Sequence, residues 1–187
     1  MVAPGIYRSG FPNVKNHKFL TSLGLRKIIY VYKGDCMEQH LQFCNENGIE
    51  FLHFKLEANK ETFEEMDKAV VAKVLDEILA LESLIFERQN SKFFLLSKPQ
   101  TLNIKMKNNK RNHPILVHCN RGVRRVGCIV GCFRRLQGWV MTAIFDEFQR
   151  FSGNKIRISD QEFIEEFSLT AGQQEDSKPG SNGDIFF

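Results

Sequence analysis

Apolar residues along this chain fall into short solid runs, separated by stretches in which they recur every three or four positions. Four runs read as β-strands: "GIYRS" (5–9), "KIIYVY" (27–32), "IEFLHFKL" (49–56) and "PILVH" (114–118), each rich in β-branched or aromatic residues. The last is the most apolar, as suits a strand buried at the centre of a sheet. Between them, 13–24 carries apolar residues at helical spacing and ends on Gly24. Residues 35–48 open with Asp35 and Glu38 at capping-box spacing and stop at Gly48. A longer helix is predicted from Phe63 to about Phe86, with Met66, Val70, Val74, Ile78 and Leu81 marking its buried stripe. Three further helices follow: 123–137 closed by Gly138, about 142–151, and one opening at "SDQE", where Ser159 and Glu162 make a second capping pattern. The order β-α-β-α-β-α-β-α-α-α predicts an α/β layer architecture.

A length of 187 residues predicts one domain over 1–170 with a proper core. Two stretches break the pattern. Residues 88–112 are rich in Lys and Asn without a clear period and predict a protruding, disordered insertion. The polar tail 171–187 predicts disorder as well. Charge sharpens the picture: from Arg88 to Phe145 there are 12 Lys and Arg and no Asp or Glu, while the rest of the chain carries 14 basic and 22 acidic residues. A basic segment in an otherwise acidic chain attracts an anionic ligand. Binding of nucleic acid through 88–112 rests on charge alone, with no recognisable module, and is disfavoured. No apolar run approaches membrane-spanning length, and no secretory leader is expected. The five cysteines follow no disulfide or zinc spacing, which predicts a reducing, intracellular compartment, the cytoplasm with the nucleus as a second; no cofactor is expected.

The chemistry concentrates in "PILVHCNRGVRRVG" (114–127). A strand ending at His118, then Cys119, then a loop with Gly122, then a helix from near Val123, is a geometry that binds phosphate. Loop N–H groups converge, and the helix N-terminus adds about half a positive charge. Such a place stabilises anions, a thiolate at Cys119 included. Arg125 offers a planar fork for two phosphoryl oxygens, and Gly122 lets the backbone turn tightly. The implied mechanism is a double displacement through a phosphocysteine at Cys119. A nucleotide P-loop is excluded, because no G-x-x-x-x-G-K-[ST] occurs.

"HCNRGVRRVG" resembles the HCx5R signature of cysteine-dependent phosphatases. With "PGIYRSGFP", "LGLRKIIYVY", "GCIVGCFRRLQGW" and "IFDEFQRFSGNKIRISDQEFIEEF", the chain resembles the plant and fungal atypical dual-specificity phosphatases, a subfamily that cleaves inositol pyrophosphates. The resemblance runs from residue 3 to about 168, broken near 86–110. It implies the cysteine-phosphatase fold, a central four- to five-stranded, mostly parallel sheet flanked by helices with a strand–phosphate loop–helix active site. It implies no metal, with Cys119 as nucleophile and Arg125 as clamp. His118 would tune the thiolate from behind, and the loop Asn120, Arg121, Gly122, Val123 and Arg124 would line the substrate pocket. The implied partner is an anionic phosphorylated substrate, an inositol pyrophosphate first and a phosphotyrosine or other phosphoprotein second.

Departures matter too. Many members carry Lys-His-Arg-Thr where this chain has Val123-Arg124-Arg125-Val126. The usual hydroxyl after the arginine donates to the cysteine sulfur and aids its departure. Val126 has no donor, which keeps a low-activity, ligand-binding pseudophosphatase as the alternative. For the general acid, "KLEANKETFEE" offers Glu57 and Glu61, of which Glu61 aligns better with the family's acidic loop. Lys55 and Lys60 flank that loop, with Lys155 and Arg157 on the C-terminal side, all able to meet a polyphosphate or to serve as plain surface charges. Arg134 and Arg135 sit about three turns along the helix, too far for the same phosphate. Trp139 and the phenylalanines are assigned to the core.

Overall fold

The computed structural model describes residues 1–59, 65–79, 113–153 and 157–168. Four strands, β1 (Ile6–Ser9), β2 (Lys27–Val31), β3 (Glu50–Phe54) and β4 (Ile115–His118), make one sheet in the order β1-β4-β2-β3, all parallel. Six helices complete the described chain: α1 (Val14–Ser22), α2 (Glu38–Glu46), α3 (Lys68–Leu79), α4 (Arg124–Leu136), α5 (Met141–Ser152) and α6 (Ile158–Glu166). The element order is the one that the hydrophobic pattern predicts, and β4 lies inside the sheet as its composition requires.

Alternation along the strands sorts the helices into two layers. Ile28 and Leu116 point to one face, where Leu20 of α1 and Phe43 and Cys44 of α2 cover them. Ile29, Val31, Ile115 and Val117 point to the other, under buried residues of α3, α4, α5 and α6. Both faces of β2 are therefore buried, which is why it reads as a continuous apolar run.

Register sets up the site. Ser9 pairs with His118, His118 with Tyr30 and Tyr30 with His53, so these four form one row across the carboxyl end of the sheet. In parallel α/β sheets ligands bind just beyond that edge.

Several sequence expectations are corrected. Neither predicted capping box forms: α2 starts at Glu38 behind Met37, and α6 at Ile158 behind Arg157, both without a side-chain cap. Asp35 instead meets Lys55 at 3.3 Å. The Ser159 hydroxyl has no partner among the described residues, and it already lies within the first turn of α6. The capping box that does form joins Asn13 and Asn16 at the start of α1. In the predicted stripe Met66, Val74 and Ile78 are buried and Val70 is partly so, with Val71 and Leu75 buried beside them. Trp139 is not core but 43% exposed, with the Arg134 guanidinium 4.1 Å over its ring. Arg134, in turn, is a buried structural group rather than a surface charge, held by both Glu147 carboxylate oxygens at 2.7 and 2.9 Å and by the Val2 carbonyl. Residues 60–64, the insertion 88–112, the end of the predicted third helix beyond Leu79 and the tail 171–187 lie outside the described residues.

Candidate active site

Cys119 follows directly on β4, and its side chain is almost wholly enclosed at 2% exposure. Its Sγ accepts the Gly122 N–H at 3.2 Å, so the loop already curls around sulfur. Gly122 has φ +68°, and a Cβ there would lie 2.4 Å from Gly10 N and 2.6 Å from Ser9 C. Only glycine meets both demands, a left-handed backbone and no side chain against β1. The helix that follows has no side-chain N-cap at Val123 and no acid in its first turn, leaving its N-terminal amides directed at the loop.

Arg125, in that first turn, reaches back across the loop. Its Nε donates to the Leu56 carbonyl at 2.7 Å, its Nη2 lies 3.9 Å from a Glu57 carboxylate oxygen, and its guanidinium carbon sits 5.0 Å from the centre of the Tyr32 ring. The loops after β2, β3 and β4 thus meet on this one side chain. Of the two acids considered, Glu57 is described and also pairs with Lys33 at 3.2 Å; Glu61, like Lys60, is outside the described residues. Arg121 is exposed, and Val123 and Arg124 are partly buried. Lys55 and Arg157 are engaged, by Asp35 and by the Asn59 carbonyl respectively, while Lys155 is outside the described residues.

His118 is fully buried, so its ring lies behind the loop and not among groups that meet a substrate. It stacks on Tyr30 at 4.8 Å, with His40 5.1 Å and Phe11 5.4 Å away edge-on. Neither ring nitrogen has a hydrogen-bond partner among the described residues, and burial, then the His40 and His53 charges, push its pKa down to about 3. His40, also buried with both nitrogens unpartnered among the described residues, is lowered to about 4 by burial and then by His17. The wall behind Cys119 is therefore a neutral aromatic stack. Tyr30 belongs to it, its pKa raised to about 12 chiefly by burial, and its hydroxyl donates to Asn120 Oδ1 at 2.6 Å. Asn120 thus ties the loop to the stack through its side chain.

Two groups escaped the sequence reading. Arg8 of β1 donates to the Gly122 carbonyl at 2.8 Å, its guanidinium 4.1 Å above the Phe151 ring. The only signal was a charge inside the apolar strand pattern "GIYRS". Asp160 is fully buried behind α4, where it accepts from Asn59 Nδ2 at 3.0 Å and faces the Cys128 thiol at 3.6 Å. Burial raises its pKa, against the opposing hydrogen bonds of Asn59 and Cys128 and the Arg124 charge. Asn59 also accepts the Met66 N–H at 2.6 Å, linking the loop after β3 to the start of α6. No periodicity marked Asp160, because nothing in "SDQE" distinguishes a buried acid from a helix-starting one.

Enclosed sulfur, an inward N–H, an uncapped helix and a forked cation make an arrangement suited to nucleophilic attack on a tetrahedral anion. Among the described residues no helix is long and apolar enough to cross a membrane. The profile of the tyrosine phosphatase family matches residues 1–184. The chain is 37% identical over 170 residues to inositol diphosphatase DSP4 of Arabidopsis thaliana, covering 91% of this chain and 71% of that protein. It is 32% identical over 167 residues to the probable tyrosine-protein phosphatase DG1060 of Dictyostelium discoideum, covering 89% of this chain and 83% of that one. Among solved structures it is similar to the core catalytic domain of the PP-IP phosphatase SIW14 of S. cerevisiae, solved in complex with citrate. The TM-score there is 0.70 at 32% identity, over 90% of this chain and 83% of that one. With this match along nearly its whole length, on a parallel sheet ending in a cysteine loop, the chain belongs to the tyrosine phosphatase family.

Proposed function

We propose that this protein hydrolyses an inositol pyrophosphate through a phosphocysteine at Cys119. The observation that carries the reading is the Gly122 N–H on an enclosed Cys119 Sγ at the mouth of α4. Sulfur attacks the terminal phosphorus while the bond to the bridging oxygen breaks, and the departing phosphate carries the electron pair. Water then attacks the same phosphorus, the P–S bond breaks, and inorganic phosphate leaves with the thiol regenerated. The loop amides from Asn120 to Arg124 and the Arg125 fork would hold the phosphoryl oxygens as negative charge builds on them. Arg125 would exchange its present contacts with Leu56 O and Glu57 for that role.

The substrate class follows from the relatives' names and from charge. Inositol diphosphatases of Arabidopsis thaliana and Oryza sativa are among the similar proteins, at 34–37% identity. A polyanion suits the basic segment 88–145. A pyrophosphate also depends less on a general acid, because phosphate is a better leaving group than an alkoxide. Glu61 remains the proposed acid for ester substrates.

The test compares phosphate release from an inositol pyrophosphate and from a phosphotyrosine peptide, in wild type and Cys119→Ser. Release by wild type alone, faster from the pyrophosphate, is the expected result. A serine variant as active as wild type sinks the mechanism, and a preference for the peptide sinks the substrate assignment. A second reading, a receptor with little turnover, is favoured by the wholly buried Val126, whose side chain has no hydroxyl for the departing sulfur. Tight binding of both substrates without release would select it.

A further inference from the structure

The stretch Arg8–Phe11 lies along the outside of the loop and holds two of its carbonyls. The Gly122 carbonyl accepts from Arg8 Nη2 at 2.8 Å, and the Asn120 carbonyl accepts from the Phe11 N–H at 3.1 Å. In a trans peptide the C=O of one residue and the N–H of the next point in opposite directions. Drawing the carbonyls of Asn120 and Gly122 outward therefore turns the N–H groups of Arg121 and Val123 the other way, toward the concave side where Gly122 N–H already meets Cys119 Sγ. The outer partners thus decide which way the loop's donors face.

The two partners differ in kind. Phe11 uses a backbone amide fixed by its chain. Arg8 uses a long side chain that needs its own support, which is the Phe151 ring of α5, 4.1 Å from its guanidinium carbon. The remaining Arg8 donors, Nε and Nη1, are buried and find no acceptor among the described residues. Burial lowers the Arg8 pKa, while Glu147 and the Cys119 sulfur counter it, which places this charge within electrostatic reach of the nucleophile.

We propose that Arg8 is a positioning residue for the phosphate loop, fixing the Gly122–Val123 peptide from outside so that the Val123 N–H faces bound phosphate. This rests on reading the loop as a phosphate site. Arg8 touches no substrate. It acts by orienting a donor and by adding a positive charge beneath the nucleophile, so its loss weakens binding of the anion before it disturbs the fold.

The experiment is calorimetric titration of the full chain with inorganic phosphate, together with Tm, for wild type, Arg8→Met, Arg8→Lys, Phe151→Leu and Ile78→Val. Wild type is expected to bind. Arg8→Met weakens phosphate affinity by about tenfold or more, the scale of a lost charged hydrogen bond. Arg8→Lys recovers part of it, since an ammonium still donates to Gly122 O without the fork. Phe151→Leu weakens binding with Arg8 intact. Ile78→Val, a core change on α3, lowers Tm but binds as wild type does. Wild-type affinity in a folded Arg8→Met overturns the proposal. Should that variant not fold, wild-type affinity in both Arg8→Lys and Phe151→Leu overturns it instead. If wild type itself binds no phosphate, the reading of the loop falls and this inference with it.

Discussion

Val126, third residue of α4 and wholly buried, places two methyl groups next in sequence to Arg125, the proposed clamp. A hydroxyl donor at this position would favour sulfur as a leaving group by about 1.5–3 kcal/mol, the scale of a hydrogen bond to a charged atom. Val126→Thr is therefore expected to speed phosphocysteine hydrolysis by roughly tenfold to a hundredfold. Rapid-quench kinetics would show it: wild type releases the leaving group in a burst ahead of phosphate, and the threonine variant loses the burst. Equal turnover without a wild-type burst would mean that the second displacement does not limit the rate. At this scale the sequence was most legible where chemistry is local. Cys119, Gly122 and Arg125 lie within seven residues and announce one another. Arg8 is 114 residues from the carbonyl it holds, and Asn59 is 101 from Asp160. No spacing rule spans such distances, so only the folded chain reveals those pairs.

Among the elements, α4 carries the loop at one end and packs under two helices along its length. Small residues make that packing possible. A Cβ on Gly131 would come within 2.5 Å of Ile164 Cδ1 of α6, and one on Gly127 within 2.6 Å of the Phe148 ring of α5. Gly131→Ala gains helix propensity but forces α6 to shift, and overpacking of this kind costs about 1–3 kcal/mol. The expected drop in Tm is about 2–4 °C per kcal/mol for a chain of this size, read by calorimetry. A variant as stable as wild type would show that α6 yields freely. Strands and helices were legible because their periods are set by burial on one face or two. Their caps were not, because a cap depends on where the preceding loop goes. Asp35 turns to Lys55, and Ser159 already lies inside the first turn of α6 with Arg157 at the cap position, so neither capping spacing was used.

For the whole molecule, the neutral stack behind Cys119 makes stability depend on acid. His118 and His40 are lowered to about 3 and about 4, in both cases chiefly by burial. An unfolded imidazole takes up its proton near pH 6.5, whereas these two remain neutral in the fold. Below pH 6.5 the unfolded state thus binds more protons, and stability falls as pH falls. The loss is about 2 kcal/mol per ring between pH 6.5 and 5. Asp160, raised by burial, works in the opposite sense, favouring the fold as pH drops. Urea unfolding of wild type and His40→Phe separates them: the variant should lose about half of the histidine slope, and identical slopes would remove His40 from the account.

The uncapped start of α4 has a wider consequence. Its first turn holds no acid, and its first two residues are Arg124 and Arg125, so like charges meet the positive end of the helix. In an ordinary helix an aspartate or serine would settle that end, at the level of about 1 kcal/mol. On the proposed function a phosphoryl group would do the work of the cap, and recognition and folding would become one equilibrium. Each tenfold rise in ligand above its dissociation constant adds about 1.4 kcal/mol to the folded state. A cell rich in the substrate would thereby hold more of the enzyme intact, making the abundance of this protein itself a readout of what it consumes.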